Sequence, residues 1–362
     1  MFDNQYLFIT LAAFFICVLM FTIMLNTILL KFSTNLGTRD KNLTIIRWSS
    51  VSKPALGGIG FFIAFIMSVA YYSIFFNQQD IFLNKSFIGL IFACTSGFLI
   101  GLADDAYNTN PVLKFFGQTL CGLILVFSNN SIHIFDNELY NQILTVVWVI
   151  GIMNSINMLD NMDAITTVTS IGIISTAIMF LATNGYIDYL DFLMLFGVLA
   201  ALIGFLFHNW HPSKLFMGDT GSQFLGIFIA FIGIKYFWNA PFPTSNFEVS
   251  QKIILVLIAF ILPISDTTTV TINRLLRKQS PFVGGKDHTT HHLSYLGMSD
   301  SQIGFTFLGI NAISTILCLL IFNFIPEWKT SYNFLFLGYF LLVFSGLYLT
   351  TKISSRKSDA NK

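Results

Sequence analysis

The sequence predicts an all-α integral membrane protein with about eleven transmembrane helices and an active site at the cytoplasmic face. Three observations carry this expectation. The chain is 54% hydrophobic and only 10% charged, whereas an ordinary soluble domain has about 25% charged residues. It holds 41 phenylalanines, more than a water-facing fold of 362 residues would need for its core. Its apolar residues fall into eleven runs, most of them near the roughly 20 residues that a spanning helix requires. With a mean hydropathy of +0.71 and no long linker, repeat or soluble segment, residues 1–362 read as one polytopic membrane domain.

The elements follow in order. The first run, 7–30, exceeds a signal-peptide core of about 7–15 residues and is not followed by a small-residue cleavage site, so it reads as a retained span. Runs 56–76 and 86–103 come next, and the second leads into LADDAYN (102–108). Run 112–127 is the shortest. Run 142–159 flows into NSINMLDNMDA (154–164), and runs 165–183 and 190–207 follow it. Run 221–238 is introduced by FMGDTGS (216–222), and run 252–272 is followed by GGKDHTTHHL (284–293). Runs 303–325 and 333–351 complete the set.

Charge orients these spans, because cytoplasmic loops carry excess Lys and Arg. With the N-terminus outside, the cytoplasmic segments are approximately 31–55, 104–111, 160–164, 208–220, 273–302 and the tail 352–362. With Lys114, at the inner end of run 112–127, they then carry fifteen of the nineteen Lys and Arg residues, leaving Lys85, Lys235, Lys252 and Lys329 on the other side. The Asp, Asn and His motifs were not counted, yet all of them fall on the cytoplasmic face. The outer segments FNQQD, SNNSIHIFDNELYNQ and NGYIDY read as ordinary solvated connections. Cys17, Cys94, Cys121 and Cys318 show neither pairing nor metal-ligand spacing. A net charge of +1 gives no electrostatic basis for nucleic-acid binding.

Each motif has a chemical and a structural reading. Asn154, Asn157, Asp160 and Asp163 recur every third residue, which on a helix makes a polar stripe over about half the circumference. Carboxylates at membrane depth usually face a cavity or a partner; the plainer reading is interhelical bonding with Asp160 as a cap. Asp104 and Asp105 are adjacent and repel unless a cation or a shared proton sits beside them; otherwise they cap a loop. Asp219, between two glycines before an apolar run, suits a hard oxygen ligand for Mg²⁺ near a phosphate, or a simple N-cap. His288, His291 and His292 lie with Lys286 and Asp287. Their spacing is not that of a zinc protease, and they suit diphosphate oxygens or a merely solvated loop. Many oxygen ligands, nearby basic groups and no evident Ser or Cys nucleophile point to Mg²⁺-dependent chemistry on a phosphorylated substrate.

In this order, KPALGGIG (53–60), GLADD (101–105), LKFFGQ (113–118), NSINMLDNMDA, FMGDTGSQFLG (216–226), LPISD (262–266) and DHTTHHL (287–293) resemble the polyprenyl-phosphate N-acetylhexosamine-1-phosphate transferases, the MraY/WecA-like superfamily. Eleven spans are similar to its WecA-like branch. The resemblance implies transfer of a sugar-1-phosphate from a UDP-N-acetylhexosamine to a polyprenyl phosphate, undecaprenyl phosphate in bacteria, with release of UMP. It implies a bacterial inner-membrane location and Mg²⁺, with Mn²⁺ as a substitute, and it allows a homodimer. By motif it assigns catalysis to Asp104, Asp105, Asp160, Asp163 and Asp219. Metal ligation falls to Asp219, Asp105 and Asn157. Substrate binding falls to Lys53, Lys114, Asn154, Asn157, His288, His291 and His292. Two departures stand out. Asn161 and Ala164 replace glycines found in many members, and the histidines read H-x-x-H-H rather than H-x-H-H. The competing readings are a muramoyl-pentapeptide transferase, an ion-coupled transporter and an inactive scaffold.

Overall fold

The computed structural model describes residues 4–33, 53–76, 83–184, 189–240, 248–281, 284–325 and 327–360. Arg39, Lys41, Arg47 and Lys362, used above to orient the chain, lie outside them. Thirteen α-helices are described: α1 (Asn4–Ser33), α2 (Gly57–Phe75), α3 (Lys85–Tyr107), α4 (Pro111–Phe127), α5 (Glu138–Leu159), α6 (Ile165–Asn184), α7 (Tyr189–Asn209), α8 (Gly218–Ile232), α9 (Val249–Ala259), α10 (Ile261–Leu276), α11 (Thr289–Tyr295), α12 (Asp300–Phe324) and α13 (Thr330–Ala360). A π-helical turn, Gly233–Trp238, continues α8.

Each expected span coincides with helix, and nine described helices are long and apolar enough to cross a bilayer. The α9–α10 pair, bent by 81°, makes ten when taken as one span. Run 252–272, read as one span, is thus broken into two helices. Pro263 has no N–H for the Ala259 carbonyl and its ring would strike that carbonyl, so α9 stops at Ala259 and α10 starts afresh in a new direction. The two halves still connect opposite ends of the bundle. Lys252 in α9 donates to the His133 carbonyl before α5 begins, while Arg274 in α10 reaches the cavity where α5 ends. The 17-residue α4 also runs from that cavity, at Lys114, towards Asn130, which bonds Ser86 at the start of α3.

Three further expectations change. Asp104 and Asp105 lie in the last turn of α3 rather than in a loop, since that helix runs to Tyr107. The stripe Asn154 to Asp163 is not one helical face, because α5 ends at Leu159 with Asp160 as its C-cap. The expected tail continues α13 as helix to Ala360.

Helix α8 is the centre of the bundle, buried along almost its whole length among α2, α3, α5 and α6. Backbone-close packing puts it there. A Cβ on Gly101 of α3 would come within 2.2 Å of the Asp219 carbonyl, and one on Gly58 of α2 within 2.2 Å of the Gly221 nitrogen. The segment before α2 pairs with the segment before α8: Phe216 N–H donates to the Pro54 carbonyl (2.9 Å), and Gly57 N–H to Phe216 (3.0 Å). These contacts hold the first turn of α8 against the last turn of α3.

Candidate active site

One cavity of about 650 Å³ opens where α3, α5 and α10 end and α4 and α8 begin. It is lined by Asp104, Asp105, Lys114, Asn154, Asn157, Asp160, Asp163, Asp219, His288 and His291, so five motifs far apart in sequence share one chamber. Its volume lies within the roughly 300–1,000 Å³ of small-molecule sites.

At its polar centre sits the Lys114 ammonium. Its Nζ is 2.8 Å from Asp104 Oδ2, 3.0 Å from Asp219 Oδ1 and 3.4 Å from Asn157 Oδ1. The surroundings fix each of these acceptors. Asp104 Oδ1 accepts from the Thr109 amide (2.9 Å) and hydroxyl (2.6 Å). The Asn157 amide donates to Asp219 Oδ1 (2.5 Å) and to Ser222 Oγ (2.8 Å). Deeper in the bundle, Gln118 and Asn154 exchange amide hydrogen bonds, and Gln118 also donates to Gln223. Gln118 and Gln223 were not singled out from the sequence, although Gln118 ends the motif LKFFGQ.

Asp105 occupies a different place from the expected metal ligand. Its oxygens accept from the Asp219 amide (3.1 Å), the Thr220 amide (2.8 Å) and the Thr220 hydroxyl (2.7 Å). It caps α8 from the neighbouring helix, so the helix N-terminus expected to meet phosphate is already satisfied by this carboxylate. The all-oxygen set Asp219, Asp104 and Asn157 converges on one cation position and suits a hard divalent ion such as Mg²⁺.

Asp163 reaches the cavity wall but spends its oxygens elsewhere. It accepts from the Ser213 amide (3.0 Å) and hydroxyl (2.7 Å), and His211 Nδ1 lies at 3.0 Å. Burial pushes its carboxyl up, but the Ser213 hydrogen bonds, the Lys53 charge and His211 outweigh this and hold it below the usual range. Lys53 sits 3.6 Å from Asp163, donates to Ser213 Oγ and lies over the Phe216 ring. The expectation that Lys53 binds substrate and that Asp163 is catalytic gives way to a latch that ties the α5–α6 turn to the α7–α8 loop. His211, missed in the sequence, also stands 3.4 Å from Asp300. Ligand atoms of Asp163, His211 and Asp300 lie within 4.8 Å of one another, and Lys53 places one positive charge beside Asp163.

The histidine motif divides. His288 Nδ1 lies 2.8 Å from Asp266 Oδ2, and Asp266 Oδ1 accepts from the Thr289 amide and hydroxyl. A carboxylate there fixes the imidazole ring with its Nδ1 protonated. His291 lines the cavity beside it, and burial, with His288 adding to it, pushes its imidazole down to about 4. His292 turns away and pairs with Ser354 of α13. Its pKa is lowered by burial and then by Arg277. The expectation of three substrate-facing histidines is therefore reduced to two. The motif's cationic group is Arg274, which lines the cavity and holds Asp287 through Nε (2.8 Å) and Nη2 (2.7 Å). Asp287 is pushed up by burial and pulled further down by that guanidinium. Arg274 was counted only as a loop charge because no spacing ties it to the histidines.

Residues 86–237 match the model of glycosyl transferase family 4, a stretch that contains Asp104, Asp105, Lys114, the asparagines and Asp219. The chain is 27% identical to a probable undecaprenyl-phosphate N-acetylglucosaminyl 1-phosphate transferase of Bacillus subtilis, over 72% of each chain. It is 27% identical to a phospho-N-acetylmuramoyl-pentapeptide-transferase of Campylobacter jejuni, over 74% of this chain and 80% of the relative. A decaprenyl-phosphate N-acetylglucosaminephosphotransferase of Mycobacterium tuberculosis is 25% identical over 69% and 67%. With its motifs assembled in one chamber, the chain is similar along most of its length to polyprenyl-phosphate N-acetylhexosamine-1-phosphate transferases.

Proposed function

We propose that the chain transfers an N-acetylhexosamine-1-phosphate from a UDP-sugar to undecaprenyl phosphate, releases UMP and so starts a lipid-linked surface glycan at the cytoplasmic face of a bacterial inner membrane. One observation carries the reading. A lysine and the oxygens of Asp104, Asp219 and Asn157 meet in a chamber at the ends of apolar helices, where a lipid phosphate and a water-soluble diphosphate can both arrive. A transporter would instead place such groups near the bilayer midplane.

The chemistry needs no nucleophile from the protein. An oxygen of the lipid phosphate attacks the sugar-bearing phosphorus of the donor. A new P–O bond forms, the bond to the bridging oxygen breaks, and UMP leaves with the electron pair. Lys114 and Arg274 supply positive charge for the phosphate oxygens, so the site works by position and electrostatics. Asp104, fixed by Thr109, orients Lys114. His288, oriented by Asp266, presents its remaining ring nitrogen to the donor. A bound Mg²⁺ would neutralise diphosphate charge, with Asp219 and Asn157 as its ligands.

The test is UMP release by the purified protein with undecaprenyl phosphate and Mg²⁺ across a panel of UDP-sugars, beside Asp219→Asn. Release with a UDP-N-acetylhexosamine, reduced at least about 100-fold in the variant, is the expected result. No release with any donor from folded protein refutes it. Because relatives named as muramoyl-pentapeptide transferases match over more residues than the Bacillus relative, the panel includes UDP-N-acetylmuramoyl-pentapeptide. Turnover with that donor alone would select the second reading.

A further inference from the structure

We propose that the Lys114 ammonium is the resident cation of the divalent-metal position. Metal enters by displacing it, and the displaced ammonium becomes the partner of the acceptor's phosphate. The inference rests on the reading above, that a divalent cation and a phosphorylated lipid meet in this chamber.

An ammonium has three N–H donors, and here three oxygens surround it: Asp104 Oδ2, Asp219 Oδ1 and Asn157 Oδ1, at 2.8, 3.0 and 3.4 Å. Its hydrogens are matched one to one, and the side chain is only 16% exposed. In this arrangement no hydrogen remains for a phosphate. These are also the oxygens that suit a hard cation; Asp104 is pinned from behind by Thr109, Asn157 by Ser222, and Asp219 is tied to the Asn157 amide, which opposes spreading to admit a second positive centre. A divalent ion on them would stand close to the ammonium, where repulsion between like charges is severe in a low-dielectric site. Either the lysine or the metal holds the position. Asp105 is not an alternative ligand, because its oxygens serve the Asp219 and Thr220 amides.

Two consequences follow. In the substrate-free protein, Lys114 depresses metal affinity. A phosphate that takes the lysine raises that affinity, and metal in turn raises affinity for the phosphate, because such coupling is reciprocal. Lys114 thereby links the two arrivals: the metal site opens fully once an acceptor phosphate is there to receive the ammonium.

The experiment measures Mn²⁺ binding by electron paramagnetic resonance to the full chain in nanodiscs, without nucleotide. Wild type, Lys114→Met and Asp219→Asn are compared. Lys114→Met is expected to tighten Mn²⁺ roughly ten-fold or more, and Asp219→Asn to weaken it. Unchanged or weaker binding in Lys114→Met overturns the proposal, as does an Asp219→Asn variant that binds like wild type. Lys114→Gln, which keeps a donor without the charge, replaces the methionine variant if that one misfolds. Undecaprenyl phosphate added to the nanodiscs should tighten Mn²⁺ more in wild type than in Lys114→Met, after subtraction of binding to empty loaded discs. Equal tightening in both refutes the coupling. No turnover enters these readings, so failure of the UMP assay and failure of this proposal are distinguishable.

Discussion

Asp105 shows how a carboxylate in the chamber wall can spend its oxygens on a neighbouring helix. Helix α8 begins at Gly218 with no side-chain cap of its own, and its first amides would be orphaned in a buried place. Asp105 supplies the cap from α3 and thereby sets the backbone from which Asp219 projects. Asp105→Asn keeps one acceptor oxygen and loses the charge. It should lower stability by about 1 kcal/mol and reduce turnover, while leaving Mn²⁺ affinity closer to wild type than Asp219→Asn does. Thermal unfolding and Mn²⁺ titration of both variants check this; a loss of Mn²⁺ binding equal to that of Asp219→Asn would make Asp105 a ligand after all. Ala164 is the second informative position. It stands at φ 68°, in the left-handed region that favours glycine, with its amide held by Asn209. The sequence shows only that an alanine replaces a common glycine; the cost depends on a dihedral that the sequence does not display. Ala164→Gly should raise stability by about 0.5–1 kcal/mol, seen as a higher unfolding temperature.

Among the elements, α10 and α11 carry what the sequence concealed. The apolar runs coincide with described helices, nine of them long and apolar enough to cross a bilayer, or ten with the bent pair, because burial in lipid leaves a composition signal that needs no partner. The bend was legible only through Pro263, and its consequence, that Asp266, Thr267, Thr271 and Arg274 turn towards the cavity or its histidines, depends on packing against other helices. The histidines were legible as a cluster but not by role, since His292 faces α13 and Ser354, a residue 62 positions away. His291 in α11 is pushed down to about 4 and faces His288, Asp266 and Asp287, so it is neutral at pH 7. Its folded pKa lies below the roughly 6.5 of an unfolded histidine. Between those values the unfolded chain binds more protons, so stability falls as pH drops from about 6.5 towards 4. His291→Gln should flatten that part of the profile of unfolding temperature against pH, with further slope from His292, which is depressed in the same direction, and at the acid end from the depressed Asp163 and Asp287 carboxyls.

For the whole molecule, the decisive property is that its two ends differ. One end gathers Asp104, Lys114, Asn157, Asp219, Arg274 and His288 around a single chamber. The other holds Asn130, Ser131, His133, Asn239 and Lys252 in loop-tying hydrogen bonds: Asn239 accepts from the His133 amide and donates to the Ser131 carbonyl. The helices cross between these ends, so fixing the side of any one loop fixes the side of the chamber. The Lys and Arg excess of the sequence predicts that the chamber faces inside, where a nucleotide-sugar donor would be met. The two ends offer exposed reporters. His133 has a side chain 57% exposed, and Lys286 lies in the exposed segment before α11. The native cysteines interfere little, because Cys94, Cys121 and Cys318 are buried and Cys17 lies mid-helix in α1, towards lipid. A membrane-impermeant maleimide applied to intact cells should label His133→Cys and spare Lys286→Cys, which should react only after permeabilisation. The opposite pattern would invert every crossing together and put the chamber outside, away from any UDP-sugar pool. Labelling of both positions in intact cells would mean that an odd number of the crossings between them is missing, and the 17-residue α4 lies before position 133, leaving the bent α9–α10 pair as the crossing to re-examine.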